Sequence, residues 1–356
     1  MTVRIPIIFN PATGRLEELG LADSIAGTEI EGLMGRNRFI NGDMRIWQRG
    51  TSFNASGGVG KLFCTDRWFV ERSTSTMACA KQDTSASDRA IIGPVPSYMR
   101  VTVAASSGAG HYALLAQDVE DVLTFAGQTV VVSGWFRAQS TMNISLEAIQ
   151  VTNGGSGNPA FATASQQVNT TWRYLSFVVS IAAFTQAINP GSRLRLRFWL
   201  SGGSDWASST NVGTQNGYFD FALLQAEQGV VASPFERRFE AIETLMCQRF
   251  WEKSYDIGVF PGAASSFGRC GEFIGITPRN AGNSYLQKFL VAKRVTPAIT
   301  VYASETGAAN SVSQDDGTNA PVTTLSAVGQ TGFQLTYANS SGRYGASFHY
   351  VADAEY

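Results

Sequence analysis

Between about Asn37 and Arg237 the chain alternates. In 193–200, Leu194, Leu196, Phe198 and Leu200 fall on one side of an extended segment, and Arg193, Arg195, Arg197 and Trp199 on the other. Segment 172–180 sets Leu175, Phe177 and Val179 against Trp172, Tyr174 and Ser176, and 217–225 sets Phe219, Phe221 and Leu223 against Tyr218 and Asp220. A period of two marks a strand with one buried face. "VVVSGWFR" (130–137), "NISLEAIQV" (143–151), "RWFVER", "MACAKQ" and "SYMRVTVAA" are also of strand length, separated by Gly/Ser/Asn/Thr loops. Eight or more strands in succession predict an all-β fold, a large jelly roll or β-sandwich.

The pattern changes at Ser233. Ser233-Pro234-Phe235-Glu236 reads as a capping box with Pro at the first helical position, and Phe239, Ile242, Leu245, Met246 and Phe250 follow at helical spacing. An amphipathic helix over 234–252 is expected. Residues 255–356 return to β character in "EFIGITP", "KFLVAK", "AITVYAS", "VTTLSAV", "GFQLTYA" and "ASFHYVADAEY". The start, residues 1–36, has one short extended patch, a Pro-Ala-Thr-Gly turn and no lasting periodicity, so it is expected to order only against an oligomer or a larger particle. The division is then an appended segment (1–36), a jelly roll (37–232), a linking helix (233–254) and a smaller C-terminal β-domain (255–356). No internal repeat or sustained heptad interrupts it.

Composition narrows the function. Lys and Arg number 27 against 28 Asp and Glu, a net charge of −1, and only 15% of residues are charged. Phosphate neutralisation needs a clustered basic surplus, so a nucleic-acid partner is not expected. With 44% hydrophobic and 11% aromatic residues the chain has ample material for a core. The 36 glycines suit tight turns. The longest apolar run, near Thr129–Phe136, falls far short of the roughly 18 residues of a membrane helix, so membrane insertion is not expected. Met1–Phe9 is too short an apolar patch for a secretory signal, which points to synthesis and folding in a cytoplasm. Cys64, Cys79, Cys247 and Cys270 are dispersed and read as reduced structural thiols.

Catalytic motifs are scarce. His111 and His349 stand far apart, no Cys/His set has zinc spacing, and no G-x-S-x-G elbow occurs. "GGVGKLF" (57–63) departs from a phosphate loop at Ala55 and Leu62, and reads as a flexible glycine loop. Glycoside hydrolysis needs two carboxyls flanking the bond. Asp118, Glu120, Asp121, Asp315 and Asp316 are the candidates, and solvated loop charges account for them more simply. Sugar recognition needs flat rings beside hydrogen-bonding groups. Trp172 with Tyr174, Trp199 with Arg195 and Arg197, and Tyr218 with Asp220 fit that description; the alternative is that a loop or a subunit interface covers these rings.

"NRFINGDMRIWQRGTSF" (37–53), "TDRWFV" (65–70), "LLQAEQGVVASPFERRFEAIETLMCQRFWEK" (223–253) and the closing "YVADAEY" resemble blocks of tail-fibre and receptor-binding proteins of tailed bacteriophages and prophages. The resemblance implies a carbohydrate-binding-module-like jelly roll, a linking helix and a C-terminal β-domain, commonly in a homotrimer whose N-terminal segment joins other virion proteins. Fold and assembly roles are expected of Trp47, Arg49, Asp66, Trp68, Arg237 and Arg249. In related sugar-binding jelly rolls the N-G-D block and a last-strand carboxylate lie near a structural calcium, which places Asp43 and Glu227 as candidate ligands; the alternative is a pair of hydrogen-bonded carboxylates holding the first and last strands. No other cofactor is implied.

The expected function is therefore a non-enzymatic virion protein, a tail fibre or receptor-binding subunit meeting a host-surface glycan or protein receptor. A head fibre or capsid decoration protein is the alternative within the particle. A polysaccharide depolymerase is the alternative of another class.

Overall fold

The computed structural model describes residues 7–10, 15–18, 35–152, 157–161, 165–273, 283–338 and 343–356. Strands β1 (Ile7–Asn10) and β2 (Arg15–Glu18) pair antiparallel. Apart from these strands and Gly35 and Arg36, segment 1–36 lies outside the described residues. Then come β3 (Ser52–Ala55), β4 (Val59–Phe63), β5 (Trp68–Ser73), β6 (Thr76–Asp83), helix α1 (Ala86–Ile92), β7 (Ser97–Ala104), β8 (Tyr112–Val119), β9 (Thr129–Ala138), β10 (Met142–Val151), β11 (Gly157–Phe161), β12 (Gln166–Val168), β13 (Arg173–Ser180), β14 (Arg193–Gly202), the short helix α2 (Ala207–Thr210) and β15 (Gly217–Gln228). They form two antiparallel sheets, one in the order β11-β10-β14-β8-β5-β4 with β12 also on β10, the other β13-β9-β15-β7-β6-β3. This part of the molecule is a β-sandwich.

Its core follows the alternation. Leu194, Leu196, Phe198 and Leu200 of β14 meet Leu175, Phe177 and Val179 of β13 in one buried cluster. Phe136 lies 5.5–5.9 Å from Phe177, Phe198 and Phe221, edge to face, so the aromatic quadrupoles add to the apolar burial. Strand β15 departs from its expected pattern after Phe221. A register shift between Ala222 and Gln225, with Leu223 at φ 54°, turns Leu223 outward and gives its core place to Leu224. The chain closes tightly on that bulge. A Cβ at Gly42 would collide with the Leu224 carbonyl oxygen.

The N-G-D block and the D-R-W block build one buried corner. Asn41 Nδ2 donates to the Ile46 and Asp66 carbonyls and to Thr65 Oγ1, and Asn41 Oδ1 accepts from Ile46 N–H. Trp68 Nε1 donates to the Asn41 carbonyl at 3.0 Å. Asp66 accepts from the Gln48 backbone at 2.7 Å and from its side chain at 2.8 Å. Trp47 and Trp68 are both buried. The Asn41 amide, the Asp66 carboxylate and the Trp68 indole N–H all find partners within the corner, which offsets the cost of burying them.

The helix is shorter than its spacing suggests. Helix α3 spans Glu240–Gln248, with Phe239 at its N-cap and no side-chain cap. Long-range partners claim the predicted box. Ser233 Oγ donates to Glu227 Oε2 at 2.6 Å, while the Glu236 carboxylate accepts from the Gly35 and Asn37 backbones at 2.6 and 2.7 Å. Its far end gives way to a strand, β16 (Trp251–Lys253). Phe239 is 76% exposed, with Leu245 and Ile242 also exposed, so much of the apolar stripe faces solvent.

A further, C-terminal sheet follows, from β17 (Cys270–Phe273), β18 (Asn283–Lys288), β19 (Ala298–Ala303), β20 (Ser311–Gln314), β21 (Asn319–Gly329), β22 (Gly332–Tyr337) and β23 (Gly345–Asp353). Its order is β16-β23-β20-β21-β22-β18, with β17 and β19 also on β23, around a core that includes Val301, Phe333, Leu335, Phe348 and Tyr350. "KFLVAK" is not a strand. The fully buried Lys293 pairs with Glu252 at 2.6 Å, and Glu252 also takes the Leu290 backbone N–H, which bends 289–293 around that pair. Most of "EFIGITP" lies outside the described residues. A polar seam joins this sheet to the sandwich. Arg67 and Arg49 bind Glu355, Arg249 binds Glu120 at 2.7–2.8 Å, and Lys253 Nζ donates to the Gln48 carbonyl. Arg237 lies elsewhere, donating to the Pro94 carbonyl. Among the described residues no helix is long and apolar enough to cross a membrane.

Candidate functional site

The outward side of β14 is a row of forked ion pairs. Arg197 grips Glu147 through two hydrogen bonds of 2.6 and 2.9 Å. Arg195 grips Asp118 at 2.6 and 3.0 Å and reaches Glu71 at 2.9 Å. Burial alone would raise the Asp118 carboxyl; Arg195, with Lys61 and Arg193, outweighs it and holds the group at about 2. Trp199 ends the row and is 1% exposed. Its indole N–H donates to Glu147, while Trp206 lies 5.2 Å and Tyr112 6.2 Å from its ring, with Val212 completing the cluster. The segment bearing Trp206, a 3₁₀ turn at Ser204–Trp206 followed by α2, folds over this ring. Trp199 is thus enclosed by this segment.

Trp172, Tyr174, Tyr218 and Asp220 sit on the other sheet, on its outward face, so the seven candidates fall on opposite sides of the sandwich and form no single site. Asp220 is fully buried between Arg100 (2.7 and 2.9 Å) and Arg137 (2.9 Å). Arg100 lies 3.8 Å over the Tyr218 ring. Trp172 is buried beneath α1, with its N–H on Asp88 at 2.7 Å, Tyr98 edge-on at 5.2 Å and Arg137 4.5 Å over the ring. Tyr174 differs: it is 45% exposed. It pairs across the strands with the half-buried Trp135, ring centroids 5.5 Å apart, and the next pair on that face is the exposed Ser176 with the buried Ser133. Phe235 packs at the rim. The alternation of "VVVSGWFR" already puts Trp135 and Arg137 on the face opposite Phe136, a signal that escaped the sequence reading.

Asp43 and Glu227 have separate partners. Asp43 pairs with Arg45. Glu227 accepts from Ser233 N–H and Oγ and from Gln225 Nε2, fastening the 233 turn onto β15. Among the described residues no group of three or more His, Cys, Asp or Glu is placed to hold a metal. The other carboxylates are engaged too: Glu120 with Arg249, Asp121 with the Leu123 backbone, Asp315 with the Tyr344 backbone, and Asp316 with Thr318 and Arg343. His349 stacks on Tyr255 at 3.7 Å and bonds Ser254 and Ser265, and His111 bonds the Gly108 carbonyl. Cys64, Cys79 and Cys247 are buried and unbridged.

No family model and no curated protein matches the chain. Solved structures similar to it include the enzymatically active domain of tailspike protein 4 of bacteriophage CBA120, at 12% identity over 55% of this chain and 22% of that one, TM-score 0.28. Others are the CBM22-1 xylan-binding domain of Paenibacillus barcinonensis Xyn10C (14% identity, 50% and 100% of the two chains, TM-score 0.30) and the family 11 carbohydrate-binding module of Clostridium thermocellum in complex with a β-1,3-1,4-mixed-linked tetrasaccharide (10%, 51% and 100%, TM-score 0.31). At these identities and scores they assign neither a residue nor an activity.

Proposed function

We propose that this chain is a non-enzymatic structural protein of a tailed-phage virion, a tail-fibre or receptor-binding subunit that attaches the particle to its host through surface glycans. The observation that carries glycan binding is the open Tyr174–Trp135 pair. It offers ring faces to sugar C–H groups on a rigid sheet, with the exposed Ser176 hydroxyl two residues along from Tyr174 on the same strand. The virion assignment rests on the blocks at 37–53, 65–70 and 223–253, whose residues build the buried corner and much of the polar seam.

Titration calorimetry against bacterial surface oligosaccharides tests the site. Tyr174→Ala and Trp135→Ala are each expected to weaken binding at least tenfold while Tyr174→Ala leaves the melting temperature within a few degrees. Undiminished affinity in both variants overturns the assignment.

A further inference from the structure

A cleft of about 560 Å³ opens at the foot of β15, between segment 35–38 and the loop joining β8 to β9. Its volume lies in the range of small-ligand sites. Arg36, Arg38, Leu123, Phe125, Gln128 and Gln228 are among its lining residues. We propose that it binds an anionic saccharide, a sugar bearing a carboxylate or phosphate, as a second site distinct from the Tyr174 surface. The proposal deepens the glycan-attachment reading and rests on it.

Charge is the first reason. Glu227 is the carboxylate among the lining residues, and both of its oxygens are already held by Ser233 and Gln225, so the charge offered to a ligand comes from Arg38. Arg38 is exposed and pairs with no carboxylate among the described residues. Its backbone is nonetheless fixed. Arg38 N–H donates to the Ala226 carbonyl at 2.8 Å, and the flanking Asn37 and Phe39 are 3% and 0% exposed. The uncommitted fork thus leaves a rigid base, the arrangement that favours two parallel bonds to a carboxylate or phosphate at low ordering cost. Arg36 is steadied by its bond to the Pro234 carbonyl at 3.1 Å. Leu123, 49% exposed, supplies an apolar wall for a ring face, and Gln128 and Gln228 supply amides for hydroxyls.

The test is calorimetry on the full chain with three probes: a hexuronate oligomer, a hexose phosphate, and a neutral oligosaccharide of equal length. Expected is binding of at least one anionic probe, weakened at least tenfold by Arg38→Gln, weakened by salt, and indifferent to Tyr174→Ala. The hexuronate and phosphate arms distinguish which anion the cleft takes. Binding of neither anionic probe, or undiminished affinity in both Arg38→Gln and Arg36→Gln/Arg38→Gln, overturns the proposal. Tyr174-dependent binding of the neutral probe in that case leaves the attachment reading standing. Loss of all sugar binding removes both.

Discussion

Asp118 and Tyr174 show what a single side chain decides here. Asp118 is 2% exposed and held at about 2 by burial outweighed by Arg195, Lys61 and Arg193. Its folded value lies below the ordinary 3.8, so its contribution is fully present above that value and is lost as the pH falls towards 2. That shift is worth about 2 kcal/mol. Urea unfolding at pH 6 and pH 2.5 is expected to show the loss, and Asp118→Asn is expected to flatten this part of the profile while destabilising the protein at pH 6 by about 3 kcal/mol, because the buried Arg195 then keeps Glu71 but loses its forked carboxylate. Tyr174 and Trp199 had the same signature in the sequence, an aromatic ring on the polar side of an alternating strand. Only one is open. Alternation tells which side of a strand faces away from the core, but not which outward face a later segment such as 203–212 will cover.

At the scale of elements, the strands were largely legible and the helix ends were not. Strands β9, β10, β13 and β14 fall within two residues of the runs read from the sequence, because β13 and β14 alternate in side-chain type and β9 and β10 are strand-length runs between Gly/Ser/Asn/Thr loops. Ser233–Glu236 carried the composition of a cap, yet its groups bond to β15 and to segment 35–37, partners far off in the chain that no local pattern reveals. The bulge at Leu223 was hidden for a similar reason: its mate is Gly42, in a segment far off in the chain that lies beside β15. Gly42→Ala places a methyl against the Leu224 carbonyl and is expected to cost about 1–3 kcal/mol, read as a lowered melting temperature with unchanged oligomeric state. An unchanged melting temperature would mean that the close approach at the bulge is not needed.

For the whole molecule, the sequence indicated two β-regions and a connection, but not the seam that joins them. Arg49, Arg67 and Arg249 are ordinary charged residues until the fold brings Glu355 and Glu120 to them. The exposed Phe239, Ile242 and Leu245 suit an interface between copies, since a solvated apolar helix face of this kind gains by association. Light scattering after size exclusion is expected to give a mass near three times 38.3 kDa, and Ile242→Asp/Leu245→Asp is expected to shift it to the monomer. A wild-type monomer would remove the interface role of α3. Attachment itself is tested most directly by binding the labelled full chain to a panel of bacterial strains before and after mild periodate oxidation, which cleaves sugar diols. Expected is binding to particular strains that periodate abolishes and Tyr174→Ala weakens at least tenfold. Binding that survives both would contradict glycan-mediated attachment.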